Sequence, residues 1–347
     1  MNFYSKQHQF YCGVDLHSKT MHVCVVDHAG KKRLHRNFKN DDPQFWLKKI
    51  QPFREDLVVG CESTFNWYWL ADLCRQEQLP FLLGHALYLK AIHGGKTKSD
   101  AIDSEKLAML LRGGNFPTGY VYPKEMRSTR DLLRRRTFLV RRRAEVIGHV
   151  QLVRMQYNVP AFEKSISYKS NRAGVAQQFD DESVRANIEV DLDLADQYDR
   201  LTTRMELYLE RHAKVHDPQT FYLLRTIPGV GRILAMTLLY EIHNIRRFAS
   251  VGDFLSYSRL VRGSHTSAGK TYAATGKKIG NVHLKWAFSE AVPLVKRQCE
   301  AAAEYAAKIE KKHNKARAMS LLAVKLGRGV YYMLRHRQAF DVQTFFK

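Results

Sequence analysis

The chain has 347 residues, a formal net charge of +22 and 45% hydrophobic residues, with a pI near 9.8. So large a positive balance attracts polyanions. No apolar stretch is long enough to span a bilayer, and the opening residues 1–6 lack a signal-peptide core, so the expectation is a cytoplasmic nucleic-acid partner rather than a membrane. The five cysteines (12, 24, 61, 74 and 299) are odd in number and contain no Cys-x-x-Cys pair, so neither a disulfide framework nor a zinc ribbon is indicated, and reduced, mostly buried thiols are expected.

In chain order, residues 10–14 form an apolar run that reads as a strand and ends at Asp15, and residues 21–26 read as its hairpin partner. Further strands are expected at 34–38, at 57–61 (ending at Glu62) and at 81–83, with helices at 45–53 and 67–76 between them. This alternation reads as an α/β domain. A helical pattern at 101–111 follows, with Asp100 and Asp103 spaced to project from one face of its first turn. The segment 113–117 (Gly-Gly-Asn-Phe-Pro) then punctuates the domain.

Taken singly, each of these acids has a bland reading, as a turn residue after a strand or a cap at a helix start. Together, two acids at strand ends and an i, i+3 pair on a helix can converge on one point. Hard oxygen ligands there suit magnesium or manganese, and such ions can clamp the oxygens of a phosphodiester.

The next region reads as two long helices. In 126–157 apolar residues recur at Leu132, Leu139, Val146, Val150, Val153 and Tyr157, and later at Val190, Leu194, Tyr198, Leu201, Met205 and Tyr208. Such steps of three and four are the seam of a coiled coil, and two seams separated by a loop predict an antiparallel hairpin. The first helix carries nine arginines against two acids, whereas residues 180–210 carry ten acids against three arginines. Mutual neutralisation and direct phosphate contact are both open for the inner arginines; the outward-facing ones are free for phosphate.

From about Gln219 a third region opens with Ile227-Pro228-Gly229-Val230-Gly231 before a helix at 232–242. A Pro-Gly-x-Gly hairpin between helices either presents backbone N–H groups to a phosphate or is a plain tight turn. Beyond it, the stretch from Arg262 to Lys285 holds Arg262, Lys270, Lys277, Lys278 and Lys285 with no acid, together with Ser264, Thr266, Ser267 and four glycines. A hydroxyl-bearing basic loop of this kind belongs near phosphate.

Several of these segments occur in one combination. Gly13-Val14-Asp15-Leu16-His17, Cys61-Glu62-Ser63-Thr64 and Lys96-Thr97-Lys98-Ser99-Asp100-Ala101-Ile102-Asp103 lie in the first third. Ile227-Pro228-Gly229-Val230-Gly231, His265-Thr266-Ser267-Ala268-Gly269-Lys270 and Gly280-Asn281-Val282-His283-Leu284 lie in the last. Over nearly its whole length the chain thereby resembles the bridge-RNA-guided transposases of bacterial insertion sequences that carry a DEDD acidic tetrad, which have the Piv-type DNA invertases as relatives.

The resemblance implies a RuvC-like (RNase H-type) α/β domain at 1–120, an antiparallel coiled-coil arm at 121–218 and a mainly helical transposase domain at 219–347. It implies a tetrad of Asp15, Glu62, Asp100 and Asp103 holding Mg2+ or Mn2+, and Ser267 as the nucleophile that forms a phosphoserine link to DNA. The partners implied are donor and target DNA, a structured guide RNA, and further copies of the chain in a homodimer or homotetramer. The residue after the serine is commonly glycine in the family, whereas here it is Ala268, followed by Gly269. The alternatives are a hydrolytic RuvC-like nuclease or junction resolvase, a Piv-type invertase, and a non-enzymatic nucleic-acid-binding scaffold.

Overall fold

A computed structural model describes residues 2–92, 99–261, 263, 265–267, 270–272 and 279–346. Two units form, Met1–Glu125 and Met126–Lys347. The first is mixed α/β and the second largely helical.

The first unit runs β1 (Phe3–Tyr4), β2 (Phe10–Leu16), β3 (Thr20–Asp27), β4 (Lys32–Lys39), α1 (Pro43–Ile50), β5 (Leu57–Glu62), α2 (Trp67–Gln76), β6 (Phe81–Gly84), α3 (Ala86–Ile92), α4 (Asp100–Arg112) and β7 (Phe116–Gly119). Its single sheet has the order β1-β7-β6-β5-β2-β3-β4. β2, β3 and β4 form an antiparallel meander, while β5 lies parallel to β2 and β6 parallel to β5.

Successive strand residues point to opposite faces, so β2 serves two cores. Cys12, Val14 and Leu16 join Trp46, Ile50 and Leu70 from α1 and α2 on one face. Tyr11 joins Leu107, Ala108 and Leu111 from α4 on the other. Cys12, Cys24, Cys61 and Cys74 are free and buried within these layers, as expected. Burial pushes Cys24 up to about 11 and Cys74 up to about 12, so these thiols are unreactive core residues.

The expected strands are all present. The helix expected at 45–53 ends at Ile50 and tightens into a 3-10 turn, Gln51–Asp56, because Pro52 has no N–H to continue the ladder. Residues 113–117 are more than punctuation: Phe116 and Pro117 open β7, and β1 pairs with it through Phe3–Pro117 and Tyr4–Phe116. Phe116 is fully buried, and that burial outweighs the turn signal of the preceding glycines.

The second unit contains α5 (Lys124–Gln156, beginning at the boundary), α6 (Glu182–His216), α7 (Pro218–Arg225), α8 (Arg232–Ile242), α9 (Val251–Tyr257), the hairpin β8 (His265–Ser267) and β9 (Lys270–Tyr272), α10 (Val282–Gln298), α11 (Glu300–Lys312), α12 (Lys315–His336) and α13 (Val342–Phe346). α5 and α6 run antiparallel, since Arg136 pairs with Glu206, Arg143 with Asp199 and His149 with Asp191. For Arg136 and Arg143, neutralisation by α6 prevails over phosphate contact.

The seam on α6 is displaced from the expected one. Val184, Ile188, Asp191, Ala195, Thr202 and Leu209 are buried, whereas Val190, Leu194 and Tyr208 are exposed. On α5, Leu139, Val150 and Val153 are buried as expected, but Tyr157, just past its end, is exposed. The cause lies in the connecting segment: Ile166, Val175, Ala176 and Phe179 pack with Ile147, Val150, Val184 and Ile188, so the apolar stripe serves a local three-part core as well as the facing helix.

α8 is the centre of the C-terminal core, with Leu234 to Ile242 buried throughout. Phe254 brings α9, α10 and α12 together, meeting Phe288 edge to face and Tyr331 at a tilt. No helix among the described residues is long and apolar enough to cross a membrane.

Candidate metal centre and hydroxyl-bearing hairpin

Asp15 stands one residue before the end of β2, on the α4 face of the sheet. β2 and β5 are paired in register through Val14–Cys61, so the next residues along, Asp15 and Glu62, sit side by side at the ends of two parallel strands. Asp100 and Asp103 enter from above on the first turn of α4, where Ser99 caps the helix by accepting from the Ile102 N–H. Acids in that turn also complement the helix dipole.

Gly13 permits this meeting of strand and helix. A Cβ on Gly13 would lie 2.2 Å from the Ser104 carbonyl oxygen and 2.4 Å from the Ala108 nitrogen. Any side chain at 13 would lift α4 away from the sheet. Two histidines fix the rotation of the helix: His22 Nδ1 is 2.9 Å from Ser104 Oγ, and His35 Nε2 donates to the Ala101 carbonyl at 3.0 Å. His22 is the residue opposite Asp15 in the β2–β3 register.

Asp15, His17 and Asp100 bring ligand atoms within 4.8 Å of one another. His17 Nε2 lies 3.2 Å from Asp15 Oδ2 and 3.3 Å from Asp100 Oδ1. Burial, and then the charges of Asp100 and Asp103, push the Asp15 carboxyl above its usual range, while His17 pulls it the other way. Asp103 is close enough to take part in that field, and its Oδ1 lies 3.5 Å from Lys106 Nζ. The tight group thus contains two of the four expected acids. Glu62 stands beside Asp15 by strand register and Asp103 one step further along α4; neither belongs to the tight group.

His17 was not among the expected ligands. Its signal in the sequence is the i, i+2 spacing from Asp15, which puts both side chains on one side of an extended chain. A carboxylate pair with an imidazole can hold a divalent cation, with hard oxygens favouring Mg2+ or Mn2+.

In the second unit, Ser267 ends β8, paired by register with Lys270 of β9. Ser264, Ala268, Gly269, Arg262, Lys277 and Lys278 lie outside the described residues, as do Lys96, Thr97 and Lys98 ahead of α4. The base of the hairpin segment is closed by short bonds: the Asn281 N–H donates to the Tyr257 carbonyl at 2.6 Å, and Arg259 Nε donates to the Gly280 carbonyl at 3.0 Å. Gly280 has φ +92, and a Cβ there would meet the Tyr257 carbonyl at 2.6 Å.

Asn281 then does two jobs. Its Oδ1 caps α10 by accepting from the His283 and Leu284 N–H groups, and its Nδ2 donates to Glu241 Oε2 at 2.7 Å. Glu241 is 2% exposed and receives a bidentate pair from Arg134 Nε and Nη2, both at 2.7 Å. Burial opposes its charge, but the Arg134 guanidinium more than offsets this and holds the carboxyl below the usual range. α5, α8 and the exit of the hairpin segment therefore meet at one buried carboxylate, which sequence reading alone does not single out.

An α/β unit with acids gathered at strand ends, followed by a helical unit with a basic hydroxyl-bearing hairpin, has the parts of an enzyme acting on phosphodiesters. Residues 12–155 match a DEDD transposase family model of the IS110 type, and residues 222–307 match a second, described as the transposase IS116/IS110/IS902 family. The chain is 22% identical over 280 residues to the transposase for insertion sequence element IS1328 of Yersinia enterocolitica, covering 79% of this chain and 80% of that protein. These matches support transposase activity of the DEDD, IS110 type.

Proposed function

We propose that this transposase cuts and rejoins DNA with a serine nucleophile, Ser267, assisted by a divalent metal at a tetrad of Asp15, Glu62, Asp100 and Asp103, and that a structured bridge RNA selects its DNA sites. The observation that carries the reading is the approach of Asp15 and Asp100 to a single imidazole nitrogen of His17. Two carboxylates drawn to one nitrogen repel each other, and a cation between them would relieve that repulsion. Mg2+ or Mn2+ bound by these oxygens would supply charge stabilisation at the phosphate under attack.

Support for a RuvC-like, RNase H-type first domain comes from the three-stranded antiparallel meander continued by parallel β5 and β6, with acids at the ends of β2 and β5 beneath a helix. The antiparallel α5–α6 pair supports an arm at 121–218 and the α7–α8 turn a helix-hairpin-helix-like element in a domain at 219–347. In the serine step, Oγ of Ser267 bonds to phosphorus, the bond from phosphorus to one sugar oxygen breaks, and that oxygen leaves with the electron pair and takes up the proton lost by the hydroxyl. The phosphoserine diester keeps the bond energy, so rejoining needs no nucleotide cofactor. DNA is the substrate, RNA the guide, and a dimer or tetramer the working assembly.

The test is denaturing electrophoresis of reactions on labelled DNA, followed by mass spectrometry of the linked peptide. Wild type is expected to give a protein–DNA adduct at Ser267, and Ser267→Ala none, with Ser264→Ala and Thr266→Ala affected less. An adduct on a tyrosine overturns the nucleophile. Cleavage without any adduct favours the hydrolytic resolvase.

A further inference from the structure

The turn that carries His17 has two sides. Its imidazole meets Asp15 and Asp100, while its carbonyl oxygen accepts from Asn40 Nδ2 at 2.8 Å and from Asn66 Nδ2 at 2.6 Å. Behind those two amides opens a cavity of about 690 Å³. Its walls combine three kinds of group: the ammonium ions of Lys19 and Lys39, the ring of Trp69, and hydroxyls and amides including Thr20 and Asn66, with Asp41 as the one carboxylate. The two lysines are held as neighbours, because Thr20 pairs with Lys39 across β3–β4 and the Asn40 N–H donates to the Lys19 carbonyl. Both are exposed.

Phe65 adds a fourth feature. It precedes the lining residue Asn66, on the turn between β5 and α2, and is 81% exposed. It stands three residues after Glu62. A large aromatic ring so fully in water adds little to the core and is open to a partner, and its chain neighbour Asn66 lines the cavity together with the partly buried Trp69.

We propose that this cavity is a subsite for an unpaired nucleotide strand flanking the phosphate that is cut, with Lys19 and Lys39 on its backbone phosphates and Phe65 and Trp69 on the faces of an unstacked base. Paired cations beside aromatic rings are the chemistry that holds single strands without reading sequence. A duplex, with its bases stacked inside, cannot offer a base face to either ring. The inference rests on the reading of Asp15 and Asp100 as the cleavage site, which the subsite adjoins through the His17 turn.

The experiment uses the full chain and photocrosslinking with strands carrying iodouracil, one of DNA, one of RNA, and one as a DNA duplex, each in excess unlabelled duplex to occupy the other basic surfaces. The single strand is expected to crosslink to the peptide spanning Phe65 and Trp69. Phe65→Ala should reduce that crosslink about tenfold, on the scale of one stacking contact, and Lys19→Ala with Lys39→Ala should reduce it further and flatten its salt dependence by about 0.7 of a logarithmic unit per lysine. Preference for the DNA or the RNA strand identifies which of them occupies the subsite.

The inference is overturned if the single strands crosslink only elsewhere, if the duplex crosslinks there equally well, or if the three substitutions leave the crosslink unchanged. Repeating the measurement with Asp15→Ala separates it from the cleavage reading. Strand capture should persist in that variant whether or not the carboxylates cut DNA, and cleavage by Asp15→Ala would count against the cleavage reading alone. Phe65 supports no core, so a loss in Phe65→Ala reports on the strand rather than on folding.

Discussion

Gly13 and Ser104 are in backbone contact: the Ser104 carbonyl of α4 lies 2.2 Å from the point that a Cβ on Gly13 would occupy. The helix that delivers Asp100 thus rests on the strand that delivers Asp15 at a position with no side chain. Gly13→Ala should displace α4, costing about 1–3 kcal/mol or more as overpacking does, and should lower DNA cleavage more than the loss of stability explains. Thermal unfolding alongside cleavage under folding conditions checks this; an unchanged melting temperature would refute the close-approach argument.

Asp15 offers a test in which stability and activity move in opposite directions. Its carboxyl is pushed up by burial and by Asp100 and Asp103, so near neutral pH its charge opposes folding in metal-free protein. The stability penalty grows as pH rises through the ordinary aspartate range towards the raised folded value and is absent below it. Asp15→Asn should therefore raise the melting temperature of metal-free protein by a few degrees while abolishing cleavage, a familiar trade at active sites. Adding Mg2+ should stabilise wild type and leave the variant unmoved. Cleavage that survives EDTA would remove the metal from the mechanism.

Glu241 is expected to behave in the opposite sense. Its carboxyl is held low by Arg134 despite burial, so its contribution to stability is present above the ordinary glutamate value and disappears as pH falls through the lower folded value. Glu241→Ala, which strands Arg134, should cost about 3–5 kcal/mol. Glu241→Gln should cost less and should flatten the acid limb of the stability curve. A denaturant series at several pH values measures both, and an acid limb identical to wild type would show that this carboxylate does not anchor the hairpin exit.

The proposed RNA guide is testable through salt and through purity. With a net charge of +22, the protein should retain structured RNA through purification at low salt and lose it steeply as salt rises, as counterion release requires. Site-specific recombination by protein rigorously freed of RNA would refute guidance and favour an invertase-type reading.

Much of the first unit was legible in its sequence because strand alternation and helix periodicity act locally: the strands at 10–14, 21–26, 34–38, 57–61 and 81–83 and the helix from Trp67 to Gln76 all appear, as does α8. The acids stood out by position, at strand ends and at a helix start. What local pattern cannot reveal is which face a stripe will serve. On α6 the exposed Val190 and Leu194 share the helical spacing of the buried Ile188 and Ala195, and packing from 166–179 chose between them.

The sequence by itself determined the residue types, their order along the chain, the basic charge and the elements those patterns encode. Tertiary structure alone decided that Asp15 and Asp100 share His17, since their meeting depends on α4 lying against Gly13. It alone decided that Arg136 and Arg143 are paired with α6, and that Glu241, Arg134 and Asn281 converge at the exit of the Ser267 hairpin. The physical reason is the same in each case: buried charges and close backbone approaches are settled between segments far apart in sequence, where desolvation and sterics act only once the chain has packed.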